Sequence, residues 1–500
     1  MISLIRFVAL SLLPGQVFWT LMDMARLSVP LKKRLRKSLL ASANLARVQE
    51  NRILAAAAFE PYKRLFASNH YDGSEPWVFN GQSLDVDDAF LIAPIDKADY
   101  TFRMVFFHFE WMFVAGTPDM DLFQQLHIKL EASHMFWHPS CLSQRSFVLA
   151  WCLAYANAND AQALSPLVPR YLAQLIVTTE DSVGANHRID NFLAITLLAH
   201  ISGCDDLRDW ALTWMQKTCA PWIIQGYYSE KTPCYQALLL GRVQLLHQAI
   251  QDSQPRHASL PFLQRMVDVI SLFPKVHLND SYLPLAQWHD HSRGLPAYAW
   301  GGATPAGTTF VVINDARSDR GYRGHLHDAS GALFVHSRDG RQIIGGQGTA
   351  TYRTSDQRDF SRSNKAYCVP QPQVGGTPRL IPWKSFRHTQ CRMLDTATVL
   401  SPKGIKISLS DRVGDGFSWD WYFEQTDQGC RIQVTTNRPA TIGFWSDLAQ
   451  DDLHTQVHIL GSSKPLAHRL DRRWDGIGQD LGCHYYEFTF DTHLILEILQ

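Results

Sequence analysis

The hydrophobic period of this chain changes once, near Val276, and that change limits what each part can fold into. From Asp99 to about Pro274, apolar residues recur every three to four positions. The segments are Phe102–Val114, Leu122–Ala132, Ser143–Tyr155, Leu164–Val177, His187–Ile201, Leu207–Ala220, Tyr235–Gln251 and Leu260–Phe273, and this spacing predicts amphipathic or buried helices. Gly116-Thr117-Pro118, Ala158-Asn159-Asp160 and Gly203-Cys204-Asp205-Asp206 separate them. Helices paired at even intervals predict a helical toroid or solenoid, although no strict repeat is present. Beyond Val276 the pattern alternates. Thr308–Ile313, a hairpin over Ala332–Ile344 around Arg338-Asp339-Gly340, Ile405–Val413, Trp419–Glu424, Cys430–Thr435, Ala440–Trp445, Gln456–Leu460 and Tyr485–Ile498 read as strands. Many short strands with turns predict an antiparallel sandwich. The expected fold is α+β in two domains, an N-terminal α/α toroid followed by a C-terminal antiparallel β-sandwich. The expected boundaries are 1–95 for a helical and irregular N-terminal segment, 96–280 for the toroid and 281–500 for the sandwich.

Length and charge narrow the function classes. A chain of 500 residues exceeds one ordinary core. Lys+Arg and Asp+Glu both number 47, so a broad nucleic-acid surface is not expected. Nine cysteines without a CxxC pair read as reduced, mostly buried thiols rather than a disulfide framework. Phe7 to Met22 is apolar but interrupted by Pro14-Gly15-Gln16, and the basic run Lys32-Lys33-Arg34-Leu35-Arg36-Lys37 follows it. The apolar run is shorter than the ~20 residues of a spanning helix. It reads as a soluble first helix or as a surface helix able to associate peripherally with the inner membrane.

Three polar clusters interrupt the apolar patterning. In Asn186-His187-Arg188-Ile189-Asp190, Asn186 suits a helix N-cap, and His187 and Asp190 fall on one helix face. In the stretch Gly226 to Gln236, Pro233 suits a first helical turn. Tyr235 then sits near a helix start, where the partial positive charge eases phenolate formation. An ordinary capped helix accounts for the first cluster as well as a functional role does, and on spacing alone an ordinary buried tyrosine is the favoured reading of the second. In Gly324-His325-Leu326-His327-Asp328, an extended backbone points both histidines the same way, which supplies part of a zinc site.

The order of these segments resembles the heparinase II/III-like family of polysaccharide lyases. The resemblance rests on Trp137-His138-Pro139 with Ser143-Gln144-Arg145, Gly184-Ala185-Asn186-His187, and Gly226-Tyr227-Tyr228-Ser229-Glu230 with Tyr235. It continues through Asn279-Asp280, Gly324-His325-Leu326-His327-Asp328, and Gly345-Gly346-Gln347-Gly348-Thr349 with Tyr352, Arg358 and Arg362-Ser363. It implies cleavage of an acidic, uronate-containing polysaccharide by β-elimination. In that reaction Asn186 and His187 neutralise the uronate carboxylate, His325 removes the C5 proton and Tyr235 protonates the leaving oxygen. Arg145, Glu230, Tyr352 and Asp190 are the expected substrate-binding residues. Metal-bearing members carry further zinc ligands where this chain has Gly346 and Tyr367. No cofactor is therefore expected, and His327 is the remaining weak metal candidate. A uronyl C5-epimerase, which reprotonates the same carbanion, and a non-catalytic glycan-binding or assembly protein are the alternatives. The expected setting is exopolysaccharide or capsule metabolism.

Overall fold

In a computed structural model of the chain, the described residues are 48, 52–60, 77–79, 82–84, 95, 100–112, 118–180, 185–225, 233–270, 299–303, 309–313, 331–339, 341–348, 355–373, 380–382, 389–391, 394–401, 404–411, 416–426, 429–461, 467–476 and 479–499. They divide into two compact units. One lies within Leu12–Ile224 and Leu238–Asp268. The other lies within Val269–Gln500, together with Met1–Ser11 and Gln225–Ala237.

The first unit is built of helices: α1 (Tyr100–His108), α2 (Met120–Leu130), α3 (Pro139–Tyr155), α4 (Ala158–Leu164), α5 (Leu167–Thr178), α6 (Ala185–Ile201), α7 (Asp205–Gln225), α8 (Pro233–Ser253, which begins in the second unit) and α9 (Leu260–Ile270). A short strand pair, β1 (Trp77–Phe79) with β2 (Gln82–Leu84), precedes them. Local chemistry sets the starts. Asp119 caps α2 by accepting from the Leu122 amide at 2.8 Å, and Asn157 caps α4 by accepting from Asn159 and Asp160. Pro139 opens α3 and Pro233 opens α8, where a missing N–H costs nothing. α4 falls where the sequence reads as a connecting segment. Its seven residues, about two turns, are too few to carry a period.

α3 and α6 pack against each other at the centre of the unit. Residues 140–153 of α3 and 188–201 of α6 are all buried. A helix covered on every side has no polar stripe, so its polar side chains must find partners indoors. Among the described residues no helix is long and apolar enough to cross a membrane.

The second unit holds the antiparallel strands β3 (Ala299–Ala303), β4 (Thr309–Ile313), β5 (Leu333–His336), β6 (Gln342–Ile344), β7 (Gln371–Pro372), β8 (Leu380–Pro382), β9 (Thr389–Cys391), β10 (Leu394–Ser401), β11 (Gly404–Asp411), β12 (Ser418–Thr426), β13 (Gly429–Thr436), β14 (Ala440–Ser446), β15 (Val457–Leu460), β16 (Ala467–Gly476), β17 (Gln479–Phe490) and β18 (His493–Leu499). Two short helices, α10 (Asp356–Arg362) and α11 (Gln450–Gln456), lie between strands. Six strands pair in the order β10-β11-β12-β13-β18-β15. Four pair as β16-β17-β14-β7, four as β3-β4-β5-β6, and β8 pairs with β9. Trp419, Trp421 and Phe423 of β12, Ile432 and Val434 of β13, Phe444 of β14 and Tyr486 and Phe488 of β17 share one apolar core with Leu333 and Val335 of β5. Inward side chains alternate along β12, as period-two patterning requires. The stretch read as one strand over Tyr485–Ile498 is two, β17 and β18, turned at Asp491-Thr492.

Candidate active site

His187 stands in the first turn of α6, and a buried amide decides where it points. Asn191, fully buried one turn further on, donates through Nδ2 to Ser143 Oγ at 2.7 Å and to the Pro139 carbonyl at 3.2 Å. Its Oδ1 accepts the backbone N–H of Glu180 at 2.8 Å. One side chain thus ties α6 to the start of α3 and to the residue just past α5. Glu180, fixed by its backbone, places Oε2 2.9 Å from His187 Nδ1. An ionised carboxylate only accepts, so Nδ1 carries the proton in this contact. Nε2 is left as the acceptor in the neutral ring and as a donor in the imidazolium. The two side chains are 12% and 23% exposed, enough for a ligand to reach the pair.

A charged chain runs beneath it. Asp190 is buried. It accepts from Gln144 Nε2 and from Arg242 Nη1, both at 2.9 Å. Arg242 Nη2 donates to Glu110 Oε1 at 2.9 Å, and Glu110 Oε2 lies 3.4 Å from His108 Nδ1. Burial raises the pKa of Asp190, while Arg242, the charge of His187 and the Gln144 hydrogen bond act to keep it ionised. One guanidinium thus bridges two buried carboxylates.

His138 lies just before α3. Its Nδ1 is buried and has no hydrogen-bond partner among the described residues. Burial lowers its pKa; Glu180 opposes the shift, and His187, His108 and His134 add to it. A neutral imidazole is therefore held within electrostatic reach of the Glu180–His187 pair. Sequence reasoning missed Glu180 and Arg242 as members of this cluster and quoted His138 only as part of a motif. Arg242 had one signal, as a charge inside the apolar run 237–246 of α8. Glu180 had none.

Several expectations need correction. Arg145 does not present its guanidinium to a ligand. It is fully buried, and it donates from Nε to the Tyr171 hydroxyl at 3.0 Å, from Nη1 to the Phe107 carbonyl at 2.8 Å and from Nη2 to the Phe136 carbonyl at 2.5 Å. The group also lies 3.6 Å over the Phe136 ring. It joins four parts of the helical unit instead of gripping a carboxylate. Asp190 likewise has both oxygens engaged indoors, so it braces α6 and does not touch a sugar. Asn186 is not the N-cap: α6 begins at Ala185, which puts Asn186 inside the first turn. The side chains of Asn186 and Tyr235 lie outside the described residues, as do Glu230, His325, His327 and Tyr352. The backbone of Tyr235 belongs to the first turn of α8.

Among the described residues no three His, Cys, Asp or Glu side chains converge as metal ligands. A zinc-binding side chain at 346 does not fit. A Cβ there would come within 2.6 Å of the buried Tyr367 ring, which occupies the other expected ligand position.

No protein-family model matches the sequence, and no curated protein does either. Solved structures do match. A heparinase III with methylated lysines is 11% identical over 97% of this chain and 91% of its own, with a TM-score of 0.50. A heparan sulfate lyase from Pedobacter heparinus is 10% identical over 99% of this chain and 92% of its own, with a TM-score of 0.47. At these identities the likeness is one of fold: a helix-rich unit followed by antiparallel sheets, as in heparinase III.

Proposed function

We propose that the chain is a polysaccharide lyase that cleaves an acidic, uronate-containing polysaccharide by β-elimination, on an α/α toroid joined to an antiparallel β-sandwich. The observation that carries this reading is the Glu180–His187 pair at the start of α6. The likeness in fold to heparinase III supports it.

β-Elimination starts from a weakly acidic C5–H, and charge must be neutralised on the adjacent carboxylate before that bond can break. A His187 imidazolium, with Nδ1 tied to Glu180, directs Nε2–H to a carboxylate oxygen, and Asn186 donates beside it. The positive charge is already balanced by Glu180, so its hydrogen bond can strengthen as the enolate-like charge develops. His325 takes the C5 proton, having an intrinsic pKa near ~6.5. The C5–H electron pair becomes the C4=C5 double bond as the C4–O bond breaks. Tyr235 gives its proton to the departing oxygen, and Glu230 and Tyr352 hold flanking sugars. Asp190, Arg242 and Glu110 keep the His187 turn in place. No step requires a metal.

The test is incubation with a panel of uronate polysaccharides while following the ultraviolet absorbance of the 4,5-unsaturated product, with His187→Ala and Tyr235→Phe alongside. Absorbance from the wild type and none from either variant is expected. Silence on every substrate, together with C5 proton exchange in deuterated water, would replace the lyase by an epimerase. Glycan binding with neither signal would leave a non-catalytic protein.

A further inference from the structure

A second cluster, in the sheet unit and unconnected with the proposed reaction, brings two imidazole nitrogens together. β16 pairs with β17 so that His468 faces Tyr486 and Leu470 faces His484. His468 and His484 are therefore diagonal neighbours on one face, within reach of each other. Their rings approach until His468 Nε2 is 2.8 Å from His484 Nδ1. The arrangement is held from below. His468 stacks on Tyr486 with centroids 4.9 Å apart and planes 16° from parallel, and the Tyr486 hydroxyl donates to the Leu448 carbonyl at 2.8 Å. His484 lies nearly parallel to His468, at 24° and 5.1 Å. His468 is exposed, and the adjoining Leu470 is 77% exposed, so the pair opens to solvent.

Two nitrogens this close cannot both carry protons. One N–H bridges to the other nitrogen's lone pair. If the bridging ring shifts its proton to its other nitrogen, two lone pairs lie 2.8 Å apart, and a turn of both rings directs them at one position. We infer that His468 and His484 form a surface site for a divalent late transition metal, of the copper(II) or nickel(II) kind. Two nitrogens at ~2.0–2.1 Å from an ion would stand about 2.9 Å apart at the 90° angle of tetragonal coordination, and about 3.3 Å apart at the tetrahedral angle of zinc. The separation of 2.8 Å matches the former, so the rings need to turn but not to move apart. Water completes the coordination sphere, which keeps the ion exchangeable.

The chain has 21 histidines, so total binding is not enough and the test must be local. The metal-stripped full-length protein is dialysed against nickel chloride and the bound equivalents are counted, for wild type, His468→Phe and His484→Ala. His468→Phe keeps an aromatic ring to stack on Tyr486 while removing the ligand, and circular dichroism verifies that both variants are folded. Both should bind one equivalent fewer than wild type. Copper(II) loaded at one equivalent should give an electron paramagnetic resonance signal split by two nitrogens in the wild type and by one in either variant. Equal equivalents in all three proteins, or a copper signal unchanged by the substitutions, would overturn the assignment.

Discussion

Glu180 and His187 are seven residues apart in sequence and meet at 2.9 Å, carboxylate oxygen to Nδ1, across the break between α5 and α6. The carboxylate supplies the countercharge to the imidazolium that the proposed chemistry needs. Glu180→Gln would remove that countercharge and weaken the charged Nε2–H donor that faces the substrate carboxylate. The variant should lose about 10²-fold or more in kcat for β-elimination, with little change in KM or in melting temperature. A loss confined to KM would assign Glu180 to substrate binding.

Arg242 pairs with Asp190 through one nitrogen and holds Glu110 with the other. Replacing it with methionine keeps much of the volume but removes the charge that bridges two buried carboxylates. Arg242→Met should cost about 3–5 kcal/mol of stability, measured by urea unfolding at pH 7.5. Adding Asp190→Asn and Glu110→Gln should recover most of that loss, because the penalty comes from unpaired charge and not from missing packing.

Two buried histidines make the helical unit acid-sensitive. Burial and then Arg145 lower the pKa of His127 to about 4. Burial and then Arg208 and Arg52 lower that of His200 to about 4 as well. Both are lower in the folded than in the unfolded chain, where histidine titrates near ~6.5. Between those values the unfolded chain binds protons that the folded one refuses, so stability falls as the pH drops from 6.5 to 4 and levels off below. Each group contributes up to about 3 kcal/mol to that loss. Urea midpoints at pH 7 and pH 4.5 should differ less in His200→Gln than in wild type.

The thiols should be silent in the native protein. Of nine cysteines, the seven whose side chains are among the described residues are all buried thiols. Burial pushes Cys141 and Cys430 up to about 12, and Cys152, Cys219 and Cys368 higher still. A disulfide reagent should label at most the remaining two, Cys234 and Cys391, before unfolding, and all nine in denaturant. Rapid native labelling of more than two would contradict the burial.

The helical half was legible because its period runs unbroken through segments such as His187–Ile201, which α6 reproduces with two residues added at its start. β16 was missed because Arg469, Asp471, Arg472 and Arg473 hide the alternation that its pairing with β17 imposes. The site was legible only where its members are neighbours in sequence. His187 and Asp190 share a helix face by spacing, but Gln144 and Arg242 reach Asp190 from 46 and 52 residues away, and no local pattern carries that. Arg145 was misread for a related reason. A serine-x-arginine motif suggests a ligand grip, whereas the apolar run Phe147 to Ala150 beside it marks a helix enclosed on all sides.

The strand order of the six-stranded sheet bears on how the chain is made. β18 inserts between β13 and β15, pairing Thr435 with His493 and Gly429 with Leu499. A chain emerging from the ribosome therefore presents β13 with one open edge while β14 through β17 are still being synthesised, some 60 residues in all. That edge is a template for wrong pairing until residues 493–499 arrive. A stalled or clipped nascent chain would be exposed to aggregation there, and chaperone engagement should concentrate on β13 during synthesis.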